Sequence, residues 1–395
     1  MKNIAYAFLG PFPKGNVSTV RILSYTKELV NKGCNVTVYI LAPTNDARIN
    51  SQKEGCYQGV NYVYLSKISW DRTKVSLLIK SLYYILGVLK FLIVLLSRKH
   101  NSVISYHNEL LFNTLTSLVC KCINIPVILD ITEYPKNFKN KSSFQKKVEC
   151  FALRRYDGII TVSNELVDFY SIILKKSVFK MPITIDVDRY ENLIPPKKRV
   201  NEITCVFGVH NRDGLINTLE VYRNYYDFCI NNDLDIWKLV LIGNFERIKQ
   251  SHKDVLEYVK KIEEEDFYSF IKVIGQIDNE TFPTRIGKSK LLINTPMSFV
   301  SGGFPTKLGE YLLSSVPVIY TTAGEISEVL TNKVDSYLFE PLDLASISNC
   351  IVTIQSNYVE ACEVGFNGRK TALEVFNAQT YIDNLLKYCY NENKE

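Results

Sequence analysis

The sequence predicts an α/β protein made of two Rossmann-like, parallel-sheet domains that face each other across a cleft. Short apolar runs alternate with segments of helical periodicity, which is typical of parallel strands covered by helices on both faces. The chain of 395 residues is too long for one ordinary core. A charged, proline-containing segment at 183–200 interrupts the alternation, and a second alternating set follows it. Tandem domains of this kind place their ligand crevices opposite one another.

The first predicted domain covers residues 1–182. Gly33 suits a helix stop, and Ser163 is placed to cap a helix after the strand GIITVS. Strands are expected at 3–10, 35–41, 60–65, 102–106, 126–132, 158–163 and 178–182, and helices at 18–32, 75–96, 109–122, 146–156 and 164–174.

Residues 183–200 are predicted to be a linker, because they are charged, contain adjacent prolines and bury little. The second predicted domain covers 201–372, and residues 373–395 are expected to form a C-terminal helix that packs back on the first domain. Strands are expected at 203–208, 238–243, 271–274, 290–294 and 316–320, and helices at 215–231, 254–264 and 279–288.

The composition is that of a soluble globular protein, with 46% hydrophobic and 22% charged residues. A net charge of +6 permits an anionic partner but does not indicate nucleic acid. Ten cysteines are scattered along the chain and there are four histidines, which predicts reduced, buried thiols and no metal site. The N-terminus leads directly into a strand, so no signal peptide is expected.

The segment 75–96 is long and apolar enough to be a membrane candidate. Its few polar or small residues, including Lys80, Gly87 and Lys90, fall in one narrow sector at helical spacing. Internal lysines argue against a spanning helix. A long core helix with one wet edge is the favoured interpretation, and an interfacial helix on a membrane is the alternative. The lysine-rich run at 136–147 is either a solvated face or a surface that attracts anionic lipid.

The strongest functional signal is the segment SGGFPTKLGEYLLSSVPVI. It predicts a glycine loop, a helix and a buried strand. Gly302 and Gly303 allow the backbone to approach a ligand closely, and the helix start at Thr306 offers N–H groups to an anion. Glu310 lies near the second turn, within reach of a hydroxyl-bearing group attached to that anion. A phosphate beside a diol indicates a nucleotide or a sugar nucleotide.

Two cations are candidates for neutralising such a phosphate. Lys307 lies on the same helix, and Arg212 lies in GVHNRDGL after the first strand of the second domain. A surface arginine at a turn is the alternative for Arg212.

Strand ends of the first domain carry further candidates, because function concentrates there in α/β folds. Gly15 and Asn16 lie in GPFPKGNVSTVR, which is either a plain connection or a loop facing the cleft, and the pattern is not the GxGxxG of a dinucleotide site. Asp130 and Glu133 in DITEYP are placed to orient a sugar hydroxyl or act as a base, or else lie in a solvated turn. For His107 a structural role is favoured over a catalytic one.

These motifs resemble those of the retaining nucleotide-sugar glycosyltransferases of family 4, which have the GT-B fold, and most of all the capsule and exopolysaccharide type. The segments that carry the resemblance are GPFPKGNVSTVRILSYTKELVNKGCNVTVY, GIITVSNELVDFY, NRDGL, FPTKLGEYLLSSVPVI, TTAGEISEVL and YLFEPLD. The resemblance implies that Glu310 holds the nucleotide ribose, and that Gly302, Gly303 and the helix start hold the diphosphate. It also implies that Arg212 assists the leaving group, that the domain at 1–182 binds the acceptor and that the domain at 201–372 binds the nucleotide-sugar donor.

The resemblance further implies that the backbone around Gly275, Gln276 and Ile277 reads the base. The sequence departs from the family at one position, because the frequent E-x7-E pattern has Gly302 where its first glutamate would stand. The implied reaction transfers a sugar with retention and without an obligatory metal or cofactor. The diphosphate is stabilised electrostatically as it leaves, and its oxygen takes the acceptor's proton.

The implied partners are a nucleotide-sugar donor and a lipid-linked saccharide acceptor, with a possible anionic membrane surface and no nucleic acid. The expected location is the cytoplasm, peripheral on the inner membrane face, in capsular or other surface polysaccharide synthesis. Two alternatives stay open at this point. One is a nucleotide-sugar 2-epimerase, which would need carboxylates and histidines gathered in the cleft. The other is a catalytically silent nucleotide-binding or scaffold subunit.

Overall fold

Two compact units make up the protein in the computed structural model, which describes residues 2–44, 50–69, 76–97, 99–106, 109–135, 137–208, 213–298 and 304–390. The first unit contains the described residues up to Asp186 together with those from Asn377 onward. The second contains the described residues from Val187 to Phe376. Each unit has its own sheet and its own apolar core.

The first unit is built on an eight-stranded sheet with the order β3-β4-β2-β1-β5-β6-β7-β8. The predicted parallel sheet is confirmed, and the short edge strand β3 is the antiparallel exception that the sequence did not indicate. The strands are β1 (Asn3–Phe8), β2 (Asn35–Ile40), β3 (Glu54–Tyr57), β4 (Val60–Tyr64), β5 (Ser102–Tyr106), β6 (Val127–Asp130), β7 (Gly158–Thr161) and β8 (Phe179–Lys180).

Helix starts in the first unit follow local capping chemistry. The Ser163 hydroxyl accepts a hydrogen bond from the Leu166 amide at 3.2 Å, as predicted. The fourth helix begins three residues earlier than predicted, because Ser142 and Gln145 cap each other reciprocally. The helices are α1 (Val17–Asn31), α2 (Leu77–Leu96), α3 (Leu110–Cys122), α4 (Ser143–Leu153) and α5 (Asn164–Leu174).

The helix α2 is not the core helix that the sequence favoured. It is long and apolar enough to cross a membrane by length and composition, with a mean hydropathy of 2.0 over Leu78–Leu96, but only 22% of that stretch is buried. Gly87, placed in the predicted wet edge, is buried instead, because a Cβ there would overlap the Leu41 carbonyl oxygen. The large hydrophobic side chains that α2 exposes are Leu78, Ile79, Leu82, Ile85, Leu86, Leu89, Ile93 and Leu96.

The second unit is built on a six-stranded parallel sheet with the order β11-β10-β9-β12-β13-β14. Its inner strand β9 lies between β10 and β12, so the ends of these strands lie side by side. The strands are β9 (Val200–Val206), β10 (Lys238–Ile242), β11 (Ile271–Gly275), β12 (Ser289–Asn294), β13 (Val318–Thr321) and β14 (Tyr337–Phe339).

The helices of the second unit include two long ones, at 344–356 and 358–375, that the sequence analysis did not assign. A short 3-10 turn, Val187–Tyr190, begins the unit inside the predicted linker. The helices are α6 (Leu215–Asn231), α7 (Phe245–Ser251), α8 (Lys253–Ile262), α9 (Phe282–Gly287), α10 (Thr306–Leu313), α11 (Ile326–Val329), α12 (Leu344–Ser356) and α13 (Tyr358–Val375).

The last helix, α14 (Ile382–Cys389), returns to the first unit and contacts α1. Its Tyr388 hydroxyl accepts a hydrogen bond from the Ile159 amide at 2.9 Å and donates one to the Ser177 carbonyl at 2.8 Å. Leu385 is fully buried in the first unit's core. The chain thus leaves the first unit and comes back to it.

Candidate functional site

The helix α10 presents one apolar and one polar side. Leu308, Tyr311 and Leu312 are fully buried, and the Tyr311 hydroxyl accepts a hydrogen bond from the Val206 amide at 2.7 Å. That bond ties the helix to the end of β9. Thr306, Lys307 and Glu310 lie on the partly exposed side. The sequence spacing that predicted a buried face therefore also fixes where the two charged side chains are presented.

Glu310 is held in place by an arginine from the 3-10 turn that begins the unit. Nη1 of Arg189 lies 3.0 Å from Oε1 of Glu310, and the two side chains are 17% and 12% exposed. The other guanidinium nitrogen donates a short hydrogen bond to the Asn279 carbonyl. Burial raises the pKa of the Glu310 carboxyl, and the Arg189 charge opposes part of that rise. Burial and the neighbouring Glu310 also raise the pKa of the Tyr190 phenol well above its ordinary value.

Lys307 reaches the turn that follows β9. Its Nζ lies 2.6 Å from Oδ2 of Asp213, and the same oxygen accepts a hydrogen bond from the Gly208 amide at 2.5 Å. The Lys307 side chain remains 19% exposed. The ammonium nitrogen is therefore fixed and buried beside the end of β9, while the exposed part of the side chain is its stem.

The end of β9 and the start of α6 are held together by two residues that the sequence analysis missed. The Asn294 side-chain amide donates to the carbonyls of Val206 and Asp213 at 3.2 and 3.0 Å, and the Thr295 hydroxyl donates to the Gly214 carbonyl at 2.9 Å. Gly214 has a φ of 65°, and a Cβ there would overlap the Thr295 backbone. The signal available was a polar Asn-Thr pair at the end of the apolar strand β12.

A cavity of about 370 Å³ opens where β10 and β11 end. It includes Gly275 and Gln276, two of the three residues predicted to read a base, while Ile277 is the next residue in the chain. Gly243 also lines it and packs against Phe207 so closely that a Cβ would overlap the Phe207 carbonyl oxygen. The remaining lining residues are Asn244, Phe245, Glu246, Lys249, Tyr268 and Val273.

The polar side of α10 and this cavity are connected through the end of β9. Lys307 contacts Asp213, whose carboxylate accepts a hydrogen bond from the Gly208 amide, and Phe207, which precedes Gly208, packs on Gly243 at the cavity wall. The polar side of α10 and the cavity therefore both lie around the end of β9 within the second unit.

Asp130 in the first unit does not support the predicted role at a sugar hydroxyl or as a base, and its side chain is not in a solvated turn. It is 0% exposed and pairs with Arg21 at 3.1 Å, Nη2 to Oδ1. Its second oxygen accepts hydrogen bonds from the Tyr25 hydroxyl at 2.6 Å and the Tyr6 hydroxyl at 3.1 Å. Arg21 also donates to the Pro182 carbonyl at 2.8 Å. Both oxygens of the Asp130 carboxylate are thus engaged by protein groups, and the residue has a structural role.

The other first-unit candidates have identifiable local roles. The Asn16 side chain accepts a hydrogen bond from the Thr19 amide at 3.2 Å and caps α1. A Cβ at Gly15 would overlap the Pro11 ring, so glycine is required by the turn. Glu133 is exposed, and its carbonyl oxygen accepts a hydrogen bond from the Tyr170 hydroxyl at 2.9 Å. Ligand-binding roles for these three residues stay predictions.

Four predicted site residues lie outside the described residues: His107, Arg212, Gly302 and Gly303. Within the described ranges, no group of three His, Cys, Asp or Glu side chains is placed to hold a metal ion. The ten cysteines are free, five of them buried, whereas Cys56 and Cys122 are exposed rather than buried as expected.

The sequence from residue 204 to 357 matches the family model described as glycosyl transferases group 1. No curated protein matches the chain in sequence. Among solved structures, the chain is similar to a sucrose-phosphate synthase from Thermosynechococcus elongatus, with a TM-score of 0.71, 14% identity and coverage of 99% of this chain and 100% of that one.

It is also similar to Anabaena HepE in complex with UDP and glucose, with a TM-score of 0.70, 12% identity and coverage of 98% and 99%. A glycosyltransferase from Rickettsia africae gives a TM-score of 0.70 at 14% identity, covering 100% and 99%. The chain has the GT-B fold. Residues 204–357, which match the family model, include α10, Asp213 beside the end of β9, and the residues that line the cavity. The three site features therefore fall in the part of the chain that sequence similarity also identifies.

Proposed function

We propose that this protein is a retaining glycosyltransferase that moves a sugar from a nucleotide-diphosphate sugar to a saccharide acceptor. The observation that carries the proposal is the arrangement of Lys307 and Glu310 on one side of α10. Lys307 pairs with Asp213 beside the end of β9, and Phe207 at that end packs on Gly243, which lines the cavity at the ends of β10 and β11. The family model over residues 204–357 supports a transferase, and the solved complex of HepE contains UDP and glucose.

In this proposal each side chain has one task. Glu310 accepts hydrogen bonds from the ribose hydroxyls, and Lys307 neutralises the diphosphate. Arg212, Gly302, Gly303 and the start of α10 at Thr306 complete the phosphate site. The base enters the cavity beside Gly275, Gln276 and Ile277.

The chemical step needs no nucleophile from the protein. The acceptor oxygen attacks the anomeric carbon from the face that the diphosphate leaves, so the carbon–oxygen bond to phosphate breaks as the new glycosidic bond forms. The acceptor's proton passes to the departing phosphate oxygen. The cation and the N–H groups stabilise the negative charge that develops there. We propose that transfer is metal-independent; loss of turnover in EDTA and its return with Mn²⁺ would contradict this.

The acceptor in this proposal is a lipid-linked saccharide, and the reaction is part of capsular or other surface polysaccharide synthesis at the cytoplasmic side of the inner membrane. On the acceptor side we keep Glu133, His107, Gly15 and Asn16 as candidate contacts. Product analysis with lipid-linked acceptors tests this part, and nuclear magnetic resonance of the product's anomeric proton tests retention.

A second candidate is a catalytically silent nucleotide-binding subunit, which Gly302 favours because a glutamate is frequent at that position in the resembling family. Donor turnover separates the two candidates, since both bind nucleotide. The 2-epimerase alternative loses support, because Asp130, one of the few carboxylates it could use, is sealed in an ion pair.

The first experiment measures thermal stabilisation by UDP, GDP and ADP and their sugars, because a ligand that binds the folded state stabilises it by mass action. The proposal expects stabilisation by at least one nucleoside diphosphate and its loss in Glu310→Gln. Glu257→Gln is the matched control, since Glu257 is an exposed glutamate on α8 of the same unit. No stabilisation by any of these compounds would contradict the proposal.

A further inference from the structure

The outer surface of α2, α3 and α4 exposes many large apolar side chains. The three helices lie side by side, with α3 in contact with both neighbours. Large hydrophobic side chains are strongly exposed on all three helices: Leu78 (83%), Leu82 (55%) and Ile93 (66%) on α2, Leu111 (60%) on α3, and Phe144 (75%) and Phe151 (59%) on α4. We call this surface the apolar face. Soluble monomers rarely expose apolar patches of more than a few hundred Å².

The helices cannot turn these side chains inward, because their opposite sides already form the core. Gly87 packs on the Leu41 backbone, and the Phe91 ring lies 5.7 Å from Tyr39 and 6.0 Å from Phe112. The α2 helix is therefore a layer of the first unit, packed on it through Gly87 and Phe91. Its exposed leucines and isoleucines face outward as a consequence of the fold.

The charges on the same helices are basic. The sequences of α2 and α3 contain three lysines, Lys80, Lys90 and Lys121, and no acidic residue. The α4 sequence adds Lys146 and Lys147. Its one carboxylate, Glu149, is buried and pairs with Lys141.

The combination of exposed aliphatic and aromatic side chains with lysines suits the surface of a lipid bilayer with anionic headgroups. The acyl boundary of a bilayer accepts apolar side chains to a depth of roughly 5–10 Å, and each basic residue near anionic headgroups adds about 1 kcal/mol. Long lysine side chains can keep their ammonium groups at headgroup level while their stems lie against apolar surface. The scarcity of exposed carboxylates on these helices removes the repulsion that anionic lipid would otherwise meet.

We propose that the apolar face docks this protein on the surface of an anionic phospholipid bilayer, with its leucines, isoleucines and phenylalanines in the acyl boundary and its lysines at the phosphates. The inference stands on the first unit alone and does not need the nucleotide site. Only its consequence, access to a lipid-linked acceptor, rests on the proposed function.

The test is flotation of the full chain with vesicles of phosphatidylcholine alone or with phosphatidylglycerol. Flotation is expected with the anionic vesicles and is expected to weaken at high salt, because exposed charges are screened. Leu82→Gln with Ile93→Gln should reduce the partition coefficient about tenfold or more. The matched control is Val334→Gln with Val359→Gln, which changes two exposed valines of the second unit and should float like wild type.

Charge is tested separately with Lys90→Gln and Lys147→Gln, which should lower binding to anionic vesicles and leave weak binding to neutral ones unchanged. Circular dichroism melting of each variant checks that the fold is intact. Nucleotide stabilisation, measured on the same samples, separates failure of this inference from failure of the proposed function.

Three outcomes would overturn the inference. The first is no flotation with either vesicle by protein that melts cooperatively. The second is equal binding to neutral and anionic vesicles. The third is a dimer in sedimentation experiments that the Leu82 and Ile93 substitutions dissociate, because a second copy would then cover the apolar face.

Discussion

Asp130 in the first unit and Glu310 in the second are both carboxylates paired with an arginine, yet their surroundings differ. Asp130 ends β6, and both it and Arg21 are sealed from solvent, at 0% and 1% exposure. Glu310 and Arg189 retain 12% and 17% exposure, on a helix whose polar side also carries Lys307. A sealed pair with every oxygen engaged by protein can only support the fold. A pair with an open edge is available to a ligand.

The largest expected effect is on the sealed pair. Arg21→Met leaves the Asp130 charge buried without its partner, so we expect the free energy of unfolding to fall by about 3–5 kcal/mol. Urea denaturation followed by circular dichroism measures the change. Lys32→Met is the control, because Lys32 and Asp383 form an exposed pair and its loss should matter little. Equal effects of the two substitutions would show that the Asp130 pair is not a structural centre.

The open pair should behave in the opposite way. Glu310→Gln should weaken nucleoside diphosphate binding about ten- to a hundredfold, since hydrogen bonds to a charged group contribute about 1.5–3 kcal/mol. Calorimetric titration gives the dissociation constant, and Glu257→Gln should leave it unchanged. If Glu310→Gln instead lowered the melting temperature as strongly as Arg21→Met while binding stayed normal, Glu310 would be structural as well.

Lys307 should discriminate between ligands by their phosphates. Lys307→Met is expected to weaken binding of a nucleoside diphosphate about tenfold while affecting the bare nucleoside little, because only the former presents negative charge to the ammonium group. Lys260→Met, on the exposed side of α8, is the matched control. An equal loss of affinity for both ligands would show that Lys307 stabilises the fold of the second unit and does not contact the phosphates.

The smallest effect concerns pH. Burial raises the Glu310 pKa and Arg189 opposes the rise, while Lys307 also lowers it. Below that pKa the carboxyl is protonated and loses an acceptor for the ribose, so nucleotide affinity should fall as the solution becomes more acidic. Arg189→Met raises the Glu310 pKa further, and the loss of affinity should then begin at higher pH. Arg247→Met should leave the profile unchanged, and an Arg189→Met profile that matches wild type would contradict this reasoning.

The sequence predicted the parallel sheets because short apolar runs that alternate with helical segments indicate buried strands, and this pattern can be read from neighbouring residues alone. It also predicted α10 and the positions of Lys307 and Glu310, since helical spacing decides which side chains share a face. It did not predict the two ion pairs. Arg21 lies 109 residues from Asp130, and Arg189 lies 121 residues from Glu310, so only the folded chain brings them together.

The apolar face shows a related limit of sequence reasoning. Periodicity identified α2 as apolar, but it assigned its wet edge to the sector of Gly87 and Lys90. The buried side of α2 is the side on which Gly87 packs closely against the Leu41 backbone, and a hydropathy pattern does not predict such a contact. The leucines on the opposite side of α2 are therefore exposed, although the sequence predicted that they would be buried.

The most direct test of the central claim is a calorimetric titration of wild type and Glu310→Gln with the nucleoside diphosphate that stabilises the protein most. We expect saturable binding to wild type that Glu310→Gln weakens at least about tenfold, with a melting temperature in the absence of ligand that falls less than that of Arg21→Met. Equal affinities for the two proteins would contradict the assignment of Glu310 as the ribose carboxylate, and with it the difference between the open and the sealed pair.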